Sequence, residues 1–409
     1  MLDKTVGAVL PLPIQFIHNP PKKERKKMSN YPTKRIIIGG NFGKTTNKQS
    51  GIVTKLAKML NADCVNGGSL EDLEHAAQNL VGYNLIIWMP NVSNETAKIY
   101  PKKAVGSVLI CSKVLTINAA PTREHRTEID AIERIFKMHG NAVIAIKRTN
   151  PFSFKLIDAL GNVWTDTTQL EDLVSSIECL TRWTKKAIRV SIPKGPDAES
   201  LISFENTIAA SDQLDALADV NRQIAKNFEA TKGRFFGNSS TRCTKLFPTA
   251  RSKEQILWVS RRNVNKKYIQ RKDFVPVKSY PDGTLCYFGD HKPSVDTPIQ
   301  SILYNELPSI NYMIHGHSYV KGVPYTRDYF PCGDCREATA VKEVVYSSAH
   351  ALSFFIANAR GGVLNLLNHG FLMYAENLNQ LKNIASNLKF EEREIGFEFA
   401  QTSEIPMPF

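Results

Sequence analysis

The sequence predicts an α/β chain of two domains, on three observations. The chain has 409 residues, more than one ordinary core accommodates. From about residue 33 to 185, apolar strand-like runs alternate with amphipathic helical segments, which favours a parallel sheet covered on both faces. The segment Ile192-Pro193-Lys194-Gly195-Pro196 then reads as a linker. The expected boundaries are a basic, disordered arm over 1–32, a three-layer Rossmann- or flavodoxin-like domain over 33–190, and a second domain over 197–409.

In order, Arg35-Ile36-Ile37-Ile38-Gly39-Gly40 is a buried strand entering a Gly-rich turn. Ile52 to Leu60 is an amphipathic helix with Ile52, Leu56, Met59 and Leu60 on one side. Ser69-Leu70-Glu71-Asp72 opens a second helix with cap chemistry. Tyr83 to Met89 and Val105 to Cys111 are strands, Thr127 to Met138 is a long helix, and Asn141 to Lys147 is a further strand. The loop following the first strand carries Gly39, Gly40, Gly43, Lys44 and Thr45 where phosphate-binding turns sit. It completes neither GxGxxG nor a P-loop, so it reads either as a nucleotide loop or as a plain tight turn. Past the linker, Ala198 to Glu229 is helical.

Composition narrows the function classes. No apolar run approaches the ~18–20 residues needed to cross a bilayer. The apolar run Gly7-Ala8-Val9-Leu10 precedes rather than follows the basic residues, the wrong order for a secretory signal. Seven cysteines, an odd number without disulfide rhythm, point to a reducing compartment and a cytoplasmic protein. The net charge of +13 draws on Lys22-Lys23-Glu24-Arg25-Lys26-Lys27 and on Arg261-Arg262-Asn263-Val264-Asn265-Lys266-Lys267. A start at Met28 would leave the first run outside the functional chain. The charge suits a nucleic acid or a phosphorylated small substrate. No nucleic-acid-binding signature accompanies it, so the small substrate is the expectation.

The most informative stretch is Tyr312-Met313-Ile314-His315-Gly316-His317-Ser318. Residues two apart in a strand point to one face, so both imidazoles converge without a bend. His369, in Asn368-His369-Gly370, ends another apolar run. Three neutral imidazoles leave a fourth position open, as catalytic metal sites do. Read structurally instead, the pair is one hydrogen-bonded and one solvated histidine. Asp296, before Thr297-Pro298-Ile299, is either an acid/base group or a helix start with Pro in the first turn. Cys332-Gly333-Asp334-Cys335 has no second CxxC in the chain and reads as a structural turn. His75, His125 and His139 read as solvated, and spacing gives no reason to make His291 or His350 a ligand.

Four segments fall in a telling order: Gly233-Arg234-Phe235-Phe236-Gly237-Asn238; Ile256-Leu257-Trp258-Val259-Ser260-Arg261, continuing to Asp273-Phe274-Val275-Pro276-Val277; Lys292-Pro293-Ser294-Val295-Asp296-Thr297-Pro298; and the HxH strand with His369 behind it. This order resembles the class II aldolase/adducin-like family over roughly residues 200–390. The resemblance implies an α/β/α domain around a mainly antiparallel sheet. It also implies a divalent metal (zinc, or manganese or cobalt) on His315, His317 and His369. Such enzymes cleave or epimerise small sugar phosphates through a metal-stabilised ene-diolate.

The resemblance makes Asp296 an acid/base group. The Ser-Val-Asp-Thr-Pro context is closer to ribulose-phosphate 4-epimerases than to fuculose-phosphate aldolases, which carry Glu. Asp328, in Thr326-Arg327-Asp328-Tyr329, matches an epimerase acid/base across a gap, and Tyr319 or Tyr325 is a further proton carrier. Asn238, Ser260 and Ser294 match phosphate-binding positions. Arg261 and Val295 replace a Gly and a Ser there, so Arg261 supplies a charged contact or the pocket takes another group. Homo-oligomers, commonly tetramers, are implied. The competing readings are a non-catalytic, adducin-like scaffold, and a bifunctional protein whose first domain binds a nucleotide-sugar.

Overall fold

The computed structural model describes residues 34–42, 48–67, 70–78, 80–90, 101, 106–115, 128–195, 208–226, 230–231, 234–242, 255–347 and 360–391. The basic arm over 1–32, His125, His350 and the loop residues Gly43, Lys44 and Thr45 lie outside them.

The first sheet is built from β1 (Lys34–Gly39), β2 (Asp63–Asn66), β3 (Tyr83–Met89), β4 (Val108–Leu115), β5 (Ala142–Lys147), β6 (Ser153–Asp158) and β7 (Val163–Thr167). Its order is β2-β1-β3-β4-β5-β6-β7. Strands β1 to β5 pair in parallel. They are apolar on both faces because both are covered. Ile37, Ile87, Ile110 and Ile144 meet α1 (Gly51–Met59) and α4 (Leu170–Lys186). Ile36, Ile38, Ile86, Leu109 and Val143 meet α2 (Leu70–Gln78) and α3 (Glu128–Lys137). Local signals agree with this packing: Ser50 caps α1 by accepting from the Val53 amide at 3.2 Å. In α3, Glu128 and Asp130 open the helix and Arg134 and Lys137 close it, matching its dipole.

The sheet departs from the all-parallel expectation at its far edge, where β6 and β7 run antiparallel. The connection from Arg148 to Phe152 holds no helix, and a parallel neighbour needs a crossover of about a dozen residues. The β6–β7 turn projects toward the second sheet.

After a short antiparallel pair, β8 (Ala230–Thr231) and β9 (Arg234–Phe235), that sheet contains β10 (Asn238–Arg242), β11 (Gln255–Ser260), β12 (Phe274–Ser279), β13 (Leu285–Tyr287), β14 (Tyr312–Gly316), β16 (Gly361–Leu366) and β17 (Gly370–Ala375). Its order is β13-β12-β11-β10-β14-β17-β16, antiparallel throughout. One face packs α5 (Ile208–Ala225) and α8 (Leu378–Asn387). The other packs α6 (Thr297–Glu306) and α7 (Glu337–Tyr346). This is the α/β/α arrangement the resemblance implies. The linker is part of it: Pro193 and Gly195 bond the backbone of Tyr287 at 3.0 and 2.8 Å, while Val190 and Ile192 pack on the second core. Among the described residues, no helix is long and apolar enough to cross a membrane.

Candidate metal centre

Strand periodicity places the centre. Met313 faces the α6/α7 core and Ile314 the opposite one, so His315 points toward α6 and α7. Strand β14 ends at Gly316, so His317 lies just beyond it rather than inside, as the sequence predicted. The two rings nevertheless converge, because two glycines let neighbouring backbone approach. A Cβ at Gly237 (φ +77°) would strike the His315 carbonyl, and one at Gly370 (φ +136°) would strike the Gly316 carbonyl.

Rings of His315, His317 and His369 lie 4.7–5.2 Å apart, centre to centre. One nitrogen from each lies within 4.8 Å of the others. All three are buried, at 3%, 4% and 0% exposure. Nδ1 of His315 donates to the Phe371 carbonyl at 2.8 Å. That leaves its Nε2 with a lone pair, fully buried and without a hydrogen-bond partner. Burial first, and the neighbouring His369 second, push the His315 pKa down to about 4, so it stays neutral, as a ligand must be. The His317 ring stacks on Phe236 at 4.7 Å, and Phe236 meets Phe136 of α3 at 5.3 Å.

His369 is held from both ends. Its Nδ1 lies 2.6 Å from Glu337 Oε1, in the first turn of α7, and its Nε2 lies 3.3 Å from Cys332 Sγ. Burial opposes a charge on His369, but Glu337 and then Cys332 outweigh it and raise its pKa well above the usual value. Burial raises the Glu337 and Cys332 pKa values, with His369 opposing in both.

Asp296 sits at the N-terminal boundary of α6 and makes no capping bond with its side chain. Its Oδ1 accepts from the Gly333 amide at 3.0 Å, and its Oδ2 from Asn238 Nδ2 at 2.9 Å and Ser294 Oγ at 3.4 Å. The carboxylate therefore faces the centre, and Asp296, Cys332 and His369 form a second group with ligand atoms within 4.8 Å. Of the phosphate-matching residues, Asn238 and Ser294 are drawn to Asp296. Ser260 Oγ accepts from the Ser239 amide at 3.1 Å. Arg261 pairs through Nε with Asp273 at 2.7 Å. Lys266, 3% exposed, has its pKa pushed down to about 7, by burial above all.

Other candidates lie apart. Asp328 is exposed and belongs to neither ligand group. Tyr319 is buried in the short strand β15 (Tyr319–Val320), its ring 5.9 Å from that of Tyr325. In the glycine loop, the Gly39 carbonyl accepts from Gly67 and that of Gly40 from Ser50, turn contacts internal to the first domain.

Sequence reasoning missed three features. Cys332 is in a turn, as expected, but its thiol enters the centre. Glu337 carries no local signal. The third is the β6–β7 hairpin. Asp158 there accepts from the Leu160 and Asn162 amides, Asn162 Nδ2, Trp164 Nε1 and the Tyr329 hydroxyl, at 2.8–3.1 Å. Asn162 Nδ2 also donates at 2.9 Å to the carbonyl of Asn368, the residue before His369. The first sheet thereby braces the third histidine.

Residues 215–390 match the family model described as the class II aldolase and adducin N-terminal domain. No curated protein matches the chain. Among solved structures, the chain is similar to an L-fuculose 1-phosphate aldolase, with 20% identity over 43% of this chain and 81% of that one and a TM-score of 0.30. A putative aldolase/epimerase/decarboxylase, YgbL, from Klebsiella pneumoniae has 17% identity over 43% and 84%, with a TM-score of 0.29. A DNA/pantothenate metabolism flavoprotein from Streptococcus pneumoniae has 13% identity over 36% and 98%, with a TM-score of 0.26.

Proposed function

From a C-terminal domain of the class II aldolase type, we propose that the protein is a metal-dependent lyase or epimerase of a small, phosphorylated polyhydroxy carbonyl compound. The observation that carries this reading is the orphaned Nε2 of His315, buried and facing two further imidazoles. The donor set of imidazole nitrogens with a thiol and a carboxylate beside them suits zinc or cobalt. His315, His317 and His369 would hold the cation, with the Phe371 carbonyl and Glu337 setting the orientation of two of the rings. Such a cation supplies Lewis acidity toward a carbonyl oxygen whose charge grows during reaction.

The chain's own residues do the rest. Asp296, fixed by Gly333, Asn238 and Ser294, moves the proton at carbon or oxygen. Lys266 sits close enough to Asp296 for the two charges to act on one another and supplies positive charge toward a phosphoryl group. Phe236 closes the site over His317 and keeps water from that side. Cys64, Cys111, Cys179, Cys286, Cys332 and Cys335 are free thiols, which accords with a cytoplasmic enzyme. A homo-oligomer is part of the proposal.

The test is elemental analysis of purified protein beside a His315→Ala/His317→Ala variant, followed by cleavage and epimerisation assays on sugar phosphates. Near-stoichiometric metal, lost in the variant, is expected. Wild type as empty as the variant after incubation with zinc or cobalt would refute it.

A further inference from the structure

We propose that the second domain carries a binding site for a nucleoside di- or triphosphate, in a cavity on the face of its sheet opposite the metal centre. The site shares no residue with that centre and stands independently of the metal-dependent reading.

The cavity has a volume of about 980 Å3, at the upper end of the range for small-molecule pockets, about 300–1,000 Å3. It lies between α5, β11, β12 and the loop that follows β13. Trp258 of β11 fixes the face: its side chain belongs to the core under α5 and α8, whereas His315 points to the α6/α7 side.

The wall offers aromatic rings and a spare donor. Trp258 lines the cavity at 7% exposure, and its indole N–H is buried without a hydrogen-bond partner. Leaving such a donor unmade costs stability, and a ligand acceptor would satisfy it. Phe288 is a second ring in the wall and Tyr268 a third, 74% exposed. A ring so exposed gains little from packing, but it presents a face on which a planar base stacks.

Charge supplies the other half. In the turn Lys267-Tyr268-Ile269-Gln270-Arg271-Lys272, Lys267, Arg271 and Lys272 all line the cavity. The two acids of the wall, Asp215 and Asp290, are already paired with Arg271 and Lys194. Lys267 and Lys272 have no ion-pair partner among the described residues, so two uncompensated ammonium groups stand beside the three rings. Phosphoryl oxygens accept charge-assisted hydrogen bonds from lysines, while a base lies among the aromatics. An inorganic anion or a sugar phosphate would leave the rings unused.

The turn is fixed before any ligand arrives. Arg222 of α5 donates to the Ile269 carbonyl at 2.5 Å, the Gln270 amide donates to Asp273 at 2.9 Å, and Arg271 pairs with Asp215 of α5. Little ordering of the backbone therefore opposes binding.

The experiment titrates full-length protein, without added metal, into N-methylanthraniloyl-labelled ADP and follows the label's fluorescence. A saturable rise is expected, reversed by ADP and ATP more effectively than by adenosine or orthophosphate, because base and phosphates bind together. Lys267→Gln/Lys272→Gln is expected to weaken binding at least about tenfold, through lost charge-assisted hydrogen bonds. Tyr268→Ala is expected to weaken it about fivefold or more, through lost stacking. All three side chains are exposed, so these variants keep the fold. A wild type that does not bind the labelled ADP overturns the proposal. So does binding that both variants leave unchanged, because the nucleotide then sits elsewhere on the chain. Binding of a single-stranded oligoadenylate without measurable affinity for ADP also overturns it, in favour of an extended nucleic-acid surface.

Discussion

Asp158→Asn tests whether the first sheet braces the metal centre. The carboxylate takes five donors, and the substitution turns one acceptor oxygen into an NH2 group. If the remaining oxygen keeps the Leu160 and Asn162 amides, the new NH2 faces Asn162 Nδ2, Trp164 Nε1 and the Tyr329 hydroxyl. The hydroxyl can rotate and accept; the two nitrogens cannot. Two charge-assisted hydrogen bonds are lost at ~1.5–3 kcal/mol each, a destabilisation of roughly 3–6 kcal/mol. With a urea dependence of ~1–3 kcal/mol per molar, the unfolding midpoint falls by about 1 M or more. Asn162 Nδ2 loses its bond to Asp158, so its hold on the Asn368 carbonyl loosens and Co2+ affinity falls as well. Urea unfolding followed by Trp fluorescence and a cobalt titration measure the two effects. A midpoint within about 0.3 M of wild type, the equivalent of under 1 kcal/mol, together with unchanged cobalt affinity, would refute the bracing argument.

Glu337→Gln leaves His369 without its charged partner at 2.6 Å and is expected to weaken metal binding about 10- to 100-fold, read by competition with a chelating dye. Lys266 has a folded pKa of about 7 against an ordinary 10.5. Between those values the unfolded chain binds the extra proton, so this group makes stability rise with pH from 7 toward 10. Lys266→Met is expected to flatten that rise and to stabilise the protein near pH 7 by an amount on the order of a few kcal/mol; identical pH–stability curves would contradict this. Gly370→Ala places a Cβ against the Gly316 carbonyl at a φ of +136°, and a loss of about 3 kcal/mol or more is expected by thermal unfolding.

What the sequence determined by itself was local. Apolar runs on both faces called for a covered parallel sheet in the first half, and the i, i+2 spacing of His315 and His317 put two imidazoles on one face of a strand, because side-chain direction follows backbone period alone. Family likeness, carried by the order of four motifs, supplied the antiparallel second sheet and drew in His369 and Asp296. Tertiary structure decided the rest. The β6–β7 hairpin turns back because its connection is too short for a crossover. His317 clears the end of β14 yet still converges, because Gly237 and Gly370 admit neighbouring backbone. Arg261, read either as a charged phosphate contact or as the sign of a pocket for another group, has its Nε on Asp273, and Asp328 stays at the surface. Cys332 and Glu337 meet His369 across 37 and 32 residues of chain, and Tyr329 meets Asp158 across 171. Periodicity reports which way a side chain points within its own element. Which loops and helix ends then share one space depends on sheet order and layer packing, and that pairing is written in no single stretch of sequence.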